Sequence, residues 1–212
     1  MLSEGYRDFS ATEFLETLHE VTVSGQANGV VIFLDTLKKF TDPKKLLAPK
    51  RALELCAQTA EALDYAHNQG VIHRDIKPAN LIYNPKEGSL KITDFGVARM
   101  TDGNATKTGI VLGTPMYMSP EQLNADKLTG HSDLFSLGVT LYELLAGEVP
   151  FKATNIALLM TKITTEDPAP IANRRAGIPP SVDTVLAKAM AKSPKDRFSC
   201  GAEMAIALRN CA

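Results

Sequence analysis

Tryptophan is absent and cysteine is scarce: Cys56, Cys200 and Cys211 are three in number. No two of them stand at metal-ligand spacing, which excludes a disulfide framework and a zinc ribbon and leaves reduced thiols as the simplest reading. Charge of either sign is not in excess, since Lys and Arg total 23 against 24 acids for a net −1. That balance gives no electrostatic reason to expect nucleic acid or an anionic membrane as partner. No apolar run approaches the roughly 18 residues of a membrane span, and the first residues lack the basic-then-apolar pattern of a leader, so a cytoplasmic protein is expected. Two further gaps bear on chemistry: no lysine precedes Lys38, and the chain contains neither G-x-G-x-x-G nor a Gly-Lys-Ser/Thr phosphate loop.

What is present is ordinary globular material, 44% hydrophobic and 22% charged over 212 residues, enough for one domain or two small lobes. Ser10-Ala11-Thr12-Glu13 reads as a capping box opening a helix over 10–20. Val21-Thr22-Val23 and Val30-Val31-Ile32-Phe33 follow as two strands around a turn at 24–29. Lys38, Lys39, Lys44, Lys45, Lys50 and Arg51 form a basic cluster interrupted by Pro43 and Pro49, read as solvated surface or a docking patch. Apolar residues at Leu53, Cys56, Ala60 and Leu63 predict a helix over 52–69, stopped by Gly70. Short strands are expected at Ile72, at Leu81-Ile82-Tyr83 and at Leu90-Lys91-Ile92. From about Asp133 a helix with no polar face, including Leu134, Phe135, Leu137, Leu141 and Leu145, is expected to be buried on all sides. Helices are then predicted over 155–163, from Ser181 as a cap, and over 201–209.

Chemistry concentrates in His73-Arg74-Asp75-Ile76-Lys77-Pro78-Ala79-Asn80. This block places a carboxylate, an ammonium and a carboxamide at the spacing phosphoryl transfer requires. Asp94-Phe95-Gly96 and Ser119-Pro120-Glu121 follow in order, separated by a polar, Gly- and Thr-containing segment. Together these residues resemble the catalytic loop, metal-binding motif and Ala-Pro-Glu motif of protein kinases, and Lys two positions after Asp75 points to the Ser/Thr branch. The similarity is closest to bacterial Ser/Thr kinases and covers about residues 35–212. Small-molecule phosphotransferases share an Asp and Asn at similar spacing, but Lys77, Ser119-Pro120-Glu121 and Arg197 argue against that class.

The resemblance implies an α+β, kinase-like fold: residues 1–34 as a truncated helix and hairpin remnant of the small lobe, residues 35–212 as the mainly helical large lobe. It implies ATP and Mg²⁺ as cofactors and a protein Ser or Thr hydroxyl as acceptor. Asp75 orients and deprotonates that hydroxyl, Lys77 neutralises the migrating phosphoryl group, and Asn80 and Asp94 hold Mg²⁺. Ile82 forms part of the apolar floor under adenine. Thr114 resembles the Thr that hydrogen-bonds the catalytic Asp and Lys. Arg74 marks the subgroup in which a phosphorylated activation segment, here Thr106 or Thr108, pairs with that Arg. Glu121 and Arg197 match a buried ion pair, Asp133 an anchor of the catalytic loop, and His73 and Phe95 packing partners that align the two motifs.

The small lobe is where the pattern departs. Five strands, a helix and their connections need roughly 55–60 residues, more than residues 1–34 supply. Glu13 or Glu16 is a candidate for the Glu that pairs with the nucleotide-binding Lys, but that Lys is missing. Weak or absent activity is therefore expected of this polypeptide, the alternative being a catalytically silent, protein-binding lobe or a gene fragment.

Overall fold

The computed structural model describes residues 35–86, 88–95 and 115–211. The expected helix over 10–20, the hairpin over 21–33, Glu13, Glu16, Gly96, Thr106, Thr108 and Thr114 lie outside the described residues. So does the first of the two expected segments, 1–34.

The described chain is a helical body with one small sheet at its edge. Strand β1 (Asp35–Thr36) is followed by a 3-10 turn at Leu37–Thr41, then helix α1 (Pro49–Asn68). Hairpin strands β2 (Leu81–Asn84) and β3 (Ser89–Ile92) come next, then α2 (Pro120–Leu123), α3 (Gly130–Ala146), α4 (Ile156–Thr165), α5 (Pro180–Ala189) and α6 (Gly201–Arg209). The sheet runs β1-β2-β3, antiparallel throughout, with Asp35 opposite Tyr83, Thr36 opposite Ile82, and Leu81 opposite Ile92. Ile72 is not in a strand; β1 takes the edge beside β2 instead.

Two of the helices begin where a proline permits rather than where apolar periodicity begins. Pro49 and Pro180 occupy first-turn positions, where the missing N–H costs nothing and the fixed φ is already helical. Helix α5 is therefore entered from Pro179 with no side-chain cap, and Ser181 lies inside the first turn instead of capping it. Helix α3 starts three residues ahead of Asp133, at Gly130. Helix α4 is capped as a polar N-terminus should be, Asn155 Oδ1 accepting the Leu158 amide at 2.9 Å.

Helix α3 is the centre of the body. Every residue from Ser132 to Leu145 is buried, so the helix with no polar face is enclosed as expected. Burying each such Leu or Phe contributes on the order of 1.5–3 kcal/mol relative to exposure. Around α3 pack α1, α5 and the Leu37–Thr41 turn, and α6 packs along α1 and against α5. Close approach of α1 and α6 depends on Gly201: a Cβ there would collide with the Ala60 carbonyl oxygen and crowd Asp64 at 2.9 Å. Helix α1 ends at a left-handed Gly70 (φ 76°), and the Val71 amide returns to the Ala66 oxygen at 2.9 Å. This reversal feeds the chain straight into the loop that carries His73 to Asn80.

The basic cluster is mostly surface, as its composition suggests, but not idle. Lys39 pairs with Asp35 at 2.8 Å, and Lys38 reaches buried Glu143 of α3 at 3.1 Å. Arg51 stacks on the Tyr83 ring and donates to its hydroxyl at 2.9 Å, tying α1 to the hairpin. Among the described residues no helix is long and apolar enough to cross a membrane.

Candidate active site

The loop between α1 and β2 is held by a single carboxylate of the central helix. Asp133 accepts the His73 amide on Oδ2 at 2.8 Å and the Arg74 amide on Oδ1 at 2.7 Å, and its Oδ2 also meets His67 Nε2 of α1 at 2.8 Å. With both oxygens committed to backbone donors, the loop's first turn is fixed relative to α3. Arg74 sits at φ 72°, a left-handed conformation that costs a non-glycine residue on the order of 1 kcal/mol or more. The clamp from Asp133 helps to sustain it.

Beyond Arg74 the chain folds back over its own carboxylate. Asp75 Oδ2 accepts from Lys77 Nζ at 2.7 Å and from Asn80 Nδ2 at 3.0 Å, while Asn80 Nδ2 also donates to the Asp75 carbonyl at 2.8 Å. Pro78 opens a 3-10 turn at Pro78–Asn80 that brings Asn80 back to Asp75 within five residues. Asp75 is exposed and Asn80 buried, so the carboxylate faces outward from a rigid base.

The second motif is joined to the first through backbone. The Thr93 amide donates to the Asn80 carbonyl at 2.9 Å, and Asp94 follows at φ 60°, also left-handed. His73 locks the same junction from below: its Nε2 lies 2.8 Å from the Thr93 carbonyl, and its Nδ1 receives the Asp75 amide at 3.2 Å. A carbonyl can only accept and an amide N–H can only donate, so the ring is the neutral Nε2–H tautomer. Burial holds the imidazole below its usual range, outweighing the upward pull of Asp133 and the Thr93 carbonyl. The His73 and Phe95 rings meet edge-on, centroids 4.6 Å apart. Both residues pack and align, as the resemblance implied.

These residues suit a hard cation. Asn80 gives both its N–H groups to Asp75, and among the described residues nothing donates to its Oδ1. Asp94 presents an exposed carboxylate one residue beyond the Asn80–Thr93 junction. An amide oxygen and a carboxylate held on adjoining backbone are ligands of the kind Mg²⁺ prefers.

Support for the site comes from an ion pair deeper in the body. Arg197 Nη1 and Nη2 grip Glu121 Oε1 and Oε2 at 2.7 and 2.8 Å. Its remaining N–H groups go to the carbonyls of His131, Lys192 and Ala191 at 3.0, 3.1 and 2.8 Å, so all five donors are used. Ser132 Oγ adds a bond to Glu121 Oε1 at 2.8 Å. Burial pushes the Glu121 carboxyl up, but the hydrogen bonds and charge of Arg197 win and hold it below the usual carboxylate range.

Three further contacts at the site were not anticipated. Tyr117 donates its hydroxyl to Glu143, which also holds Lys38, so the Pro115–Tyr117 turn meets the Leu37–Thr41 turn through one buried carboxylate. His67 shares Asp133 with the catalytic loop. Gln122 of α2 donates from Nε2 to the Arg74 carbonyl at 2.8 Å. Only the last left a trace in sequence, because Ser119-x-x-Gln122 is a capping-box pattern; nothing in it points to Arg74. Of the residues predicted for the site, Asp75, Lys77 and Asn80 meet through their side chains, while Asp94 follows Thr93, whose amide bonds the Asn80 carbonyl, and Arg74 is held through its backbone. Ile82 lies half-buried in β2 opposite Thr36 and Lys91.

Residues 21–207 match the protein kinase domain family. The chain is 40% identical over 172 residues to the serine/threonine-protein kinase PknB of Mycolicibacterium smegmatis, covering 80% of this chain and 27% of that protein. It is 40% identical over 157 residues to the serine/threonine-protein kinase pkn3 of Myxococcus xanthus, covering 69% of this chain and 29% of the relative. Among solved structures, the kinase domain of Mycobacterium tuberculosis PknI superposes with a TM-score of 0.65 at 27% identity, covering 84% of this chain and 62% of that one. The chain thus spans a little over a quarter of the length of these curated relatives.

Proposed function

Because the chain belongs to the protein kinase family, we propose that its described body carries the acceptor- and Mg²⁺-binding half of a Ser/Thr phosphotransferase that moves the γ-phosphoryl of ATP to a protein hydroxyl. The observation that carries this reading is the convergence of Lys77 Nζ and Asn80 Nδ2 on one Asp75 oxygen, at 2.7 and 3.0 Å. A carboxylate so held keeps its other oxygen for the acceptor hydroxyl, which it orients and from which it takes the proton. Lys77 lies alongside to offset the charge of the transferred group, and Asn80 Oδ1 and Asp94 would hold a Mg²⁺, which would supply charge neutralisation at the nucleotide phosphates. Ile82 contributes apolar surface beneath the base, and Thr114 supplies a hydroxyl to Asp75 and Lys77.

Arg74 is exposed, with its backbone clamped by Asp133. A phosphate on Thr106 or Thr108 pairs with it and orders the activation segment. Glu121, Asp133 and Arg197 act structurally. The relatives PknB and pkn3 are serine/threonine-protein kinases, and the free Cys56, Cys200 and Cys211 fit a reducing cytoplasmic setting.

One specific observation favours a second reading, a silent protein-binding lobe: within the 212 residues there is no G-x-G-x-x-G and no lysine before Lys38. Since kinase catalysis rests on positioning and charge stabilisation, half a nucleotide site predicts slow transfer. Incubating the purified chain with Mg²⁺ and labelled ATP, beside Asp75→Asn, separates the two. Label incorporated by the wild type and lost in the variant supports transfer; none in either supports the silent lobe. A rise in melting temperature with Mg²⁺-ATP reports nucleotide binding independently of chemistry.

A further inference from the structure

The peptide unit that joins Arg74 to Asp75 is pinned at both ends. Its N–H donates to His73 Nδ1 at 3.2 Å, and its C=O accepts from Gln122 Nε2 at 2.8 Å. The preceding unit is pinned as well, through the Arg74 amide on Asp133 Oδ1 at 2.7 Å. Arg74 holds the left-handed backbone at φ 72° between them. A strained residue persists only where its surroundings over-determine it. Here the two clamps come from different elements, Asp133 from α3 and Gln122 from α2.

The orientation of the Gln122 amide is unambiguous. Its Oε1 accepts the Ser119 amide at 2.9 Å, so Nε2 is the atom left to face the Arg74 carbonyl. Gln122 is thereby bound to two backbone groups 45 residues apart (119 − 74): the cap of α2 and the residue before the catalytic carboxylate. Helix α2 itself is fixed through Glu121, whose carboxylate is gripped by Arg197. Only the 3.2 Å contact to His73 would hold the peptide unit if Gln122 let go, and that contact is the longer of the two.

We infer that Gln122 is a positioning residue for the catalytic loop: by holding the Arg74 carbonyl it prevents rotation of the Arg74–Asp75 peptide and so sets where Asp75 points. The inference rests on the phosphotransferase reading for its catalytic consequence, though not for its structural one. It makes α2 a sensor, because any displacement of the activation segment's end that moves α2 releases the peptide that aims the carboxylate.

Gln122→Glu tests this with minimal change of shape. One carboxylate oxygen still accepts the Ser119 amide, while the other opposes the Arg74 carbonyl, acceptor against acceptor. Ser119→Ala is the control: it removes the Ser119 Oγ bond from the Gln122 amide, 3.4 Å long, and leaves both side-chain bonds of Gln122 in place. Hydrogen exchange at the Asp75 amide and the ¹⁵N resonance of His73 Nδ1 are read in all three proteins, with kcat and KM where transfer is measurable. Gln122→Glu is expected to speed Asp75 exchange by about tenfold and to lower kcat by about tenfold with little change in KM for Mg²⁺-ATP, as a misaimed catalytic group does. The His73 Nδ1 resonance shifts with it, while Ser119→Ala leaves exchange and resonance as in the wild type.

Unchanged Asp75 exchange in Gln122→Glu, or equal acceleration in both variants, overturns the inference and leaves Gln122 an ordinary cap. If the wild type transfers no phosphate, the phosphotransferase reading fails on that result. The exchange and resonance comparison then still decides whether Gln122 holds the loop.

Discussion

Glu121 and Arg197 are 76 positions apart in sequence and joined by two near-parallel hydrogen bonds of 2.7 and 2.8 Å, with the arginine side chain fully buried. Removing either partner leaves an uncompensated charge where water cannot reach it. Arg197→Ala is therefore expected to cost about 3–5 kcal/mol in urea unfolding. Arg197→Lys recovers little of this, since an ammonium reproduces neither the fork nor the three carbonyl contacts.

The same pair sets an acid limit. Glu121 is held below its usual range in the folded protein, so its contribution is fully present above the unfolded carboxyl value and is lost as pH falls through the folded one. Urea midpoints measured downward from pH 5 should decline more gently in Glu121→Gln, which has no carboxyl to protonate, than in the wild type.

His73 gives a second, separable step. Its folded value lies below 6.5, so between the two values the unfolded chain binds a proton that the native ring refuses. Stability is expected to fall as pH drops below 6.5, and ¹⁵N spectra of the ring should show the Nε2–H tautomer at neutral pH. Protonation would force a second N–H against the Asp75 amide, so acid should also disturb the Asp75 resonance.

Lys192 acts in the opposite range. Burial, helped by the Arg197 charge, pulls its ammonium down to about 8, against the pull of Asp167 and Glu166; its Nζ lies 4.4 Å from the Phe151 ring centre. Because the native state gives up this proton before the unfolded state does, stability should rise between about pH 8 and the unfolded lysine value, then level. Lys192→Met is expected to remove that rise, as followed by thermal melts across the range.

Gly201→Ala tests the packing of α6 on α1. A Cβ meets the Ala60 carbonyl and Asp64, neither of which can yield without moving helix α1. An overpacking cost of about 1–3 kcal/mol is expected, seen as a lower urea midpoint with an unchanged slope.

Much of this architecture was legible in the order of residues. Asp75, Lys77 and Asn80 lie within six positions of one another, so the resemblance of the block together with its spacing led to the expectation of a bent loop, and their side chains meet there. The unbroken apolar character of α3 foretold its burial. What stayed hidden were pairings of ordinary side chains across long separations: Lys38 with Glu143 at 105, His67 with Asp133 at 66, Gln122 with Arg74 at 48. Each becomes a partnership only after α1, α2 and α3 have packed. Strand β1 was unreadable for another reason, since two residues are too few to show alternation. Ser181 misled because a hydroxyl ahead of apolar periodicity suggests a cap, whereas Pro180 had already set the helical backbone.

Helix α3 offers solvent no side from Ser132 to Leu145, so it has no turn that can loosen alone. Heating should leave the loop it carries in register until the surrounding helices separate, and then lose everything at once. Loosening of that loop and melting of the body coincide in one sharp transition, without a softened precursor in which Asp75, Lys77 and Asn80 drift while the frame survives.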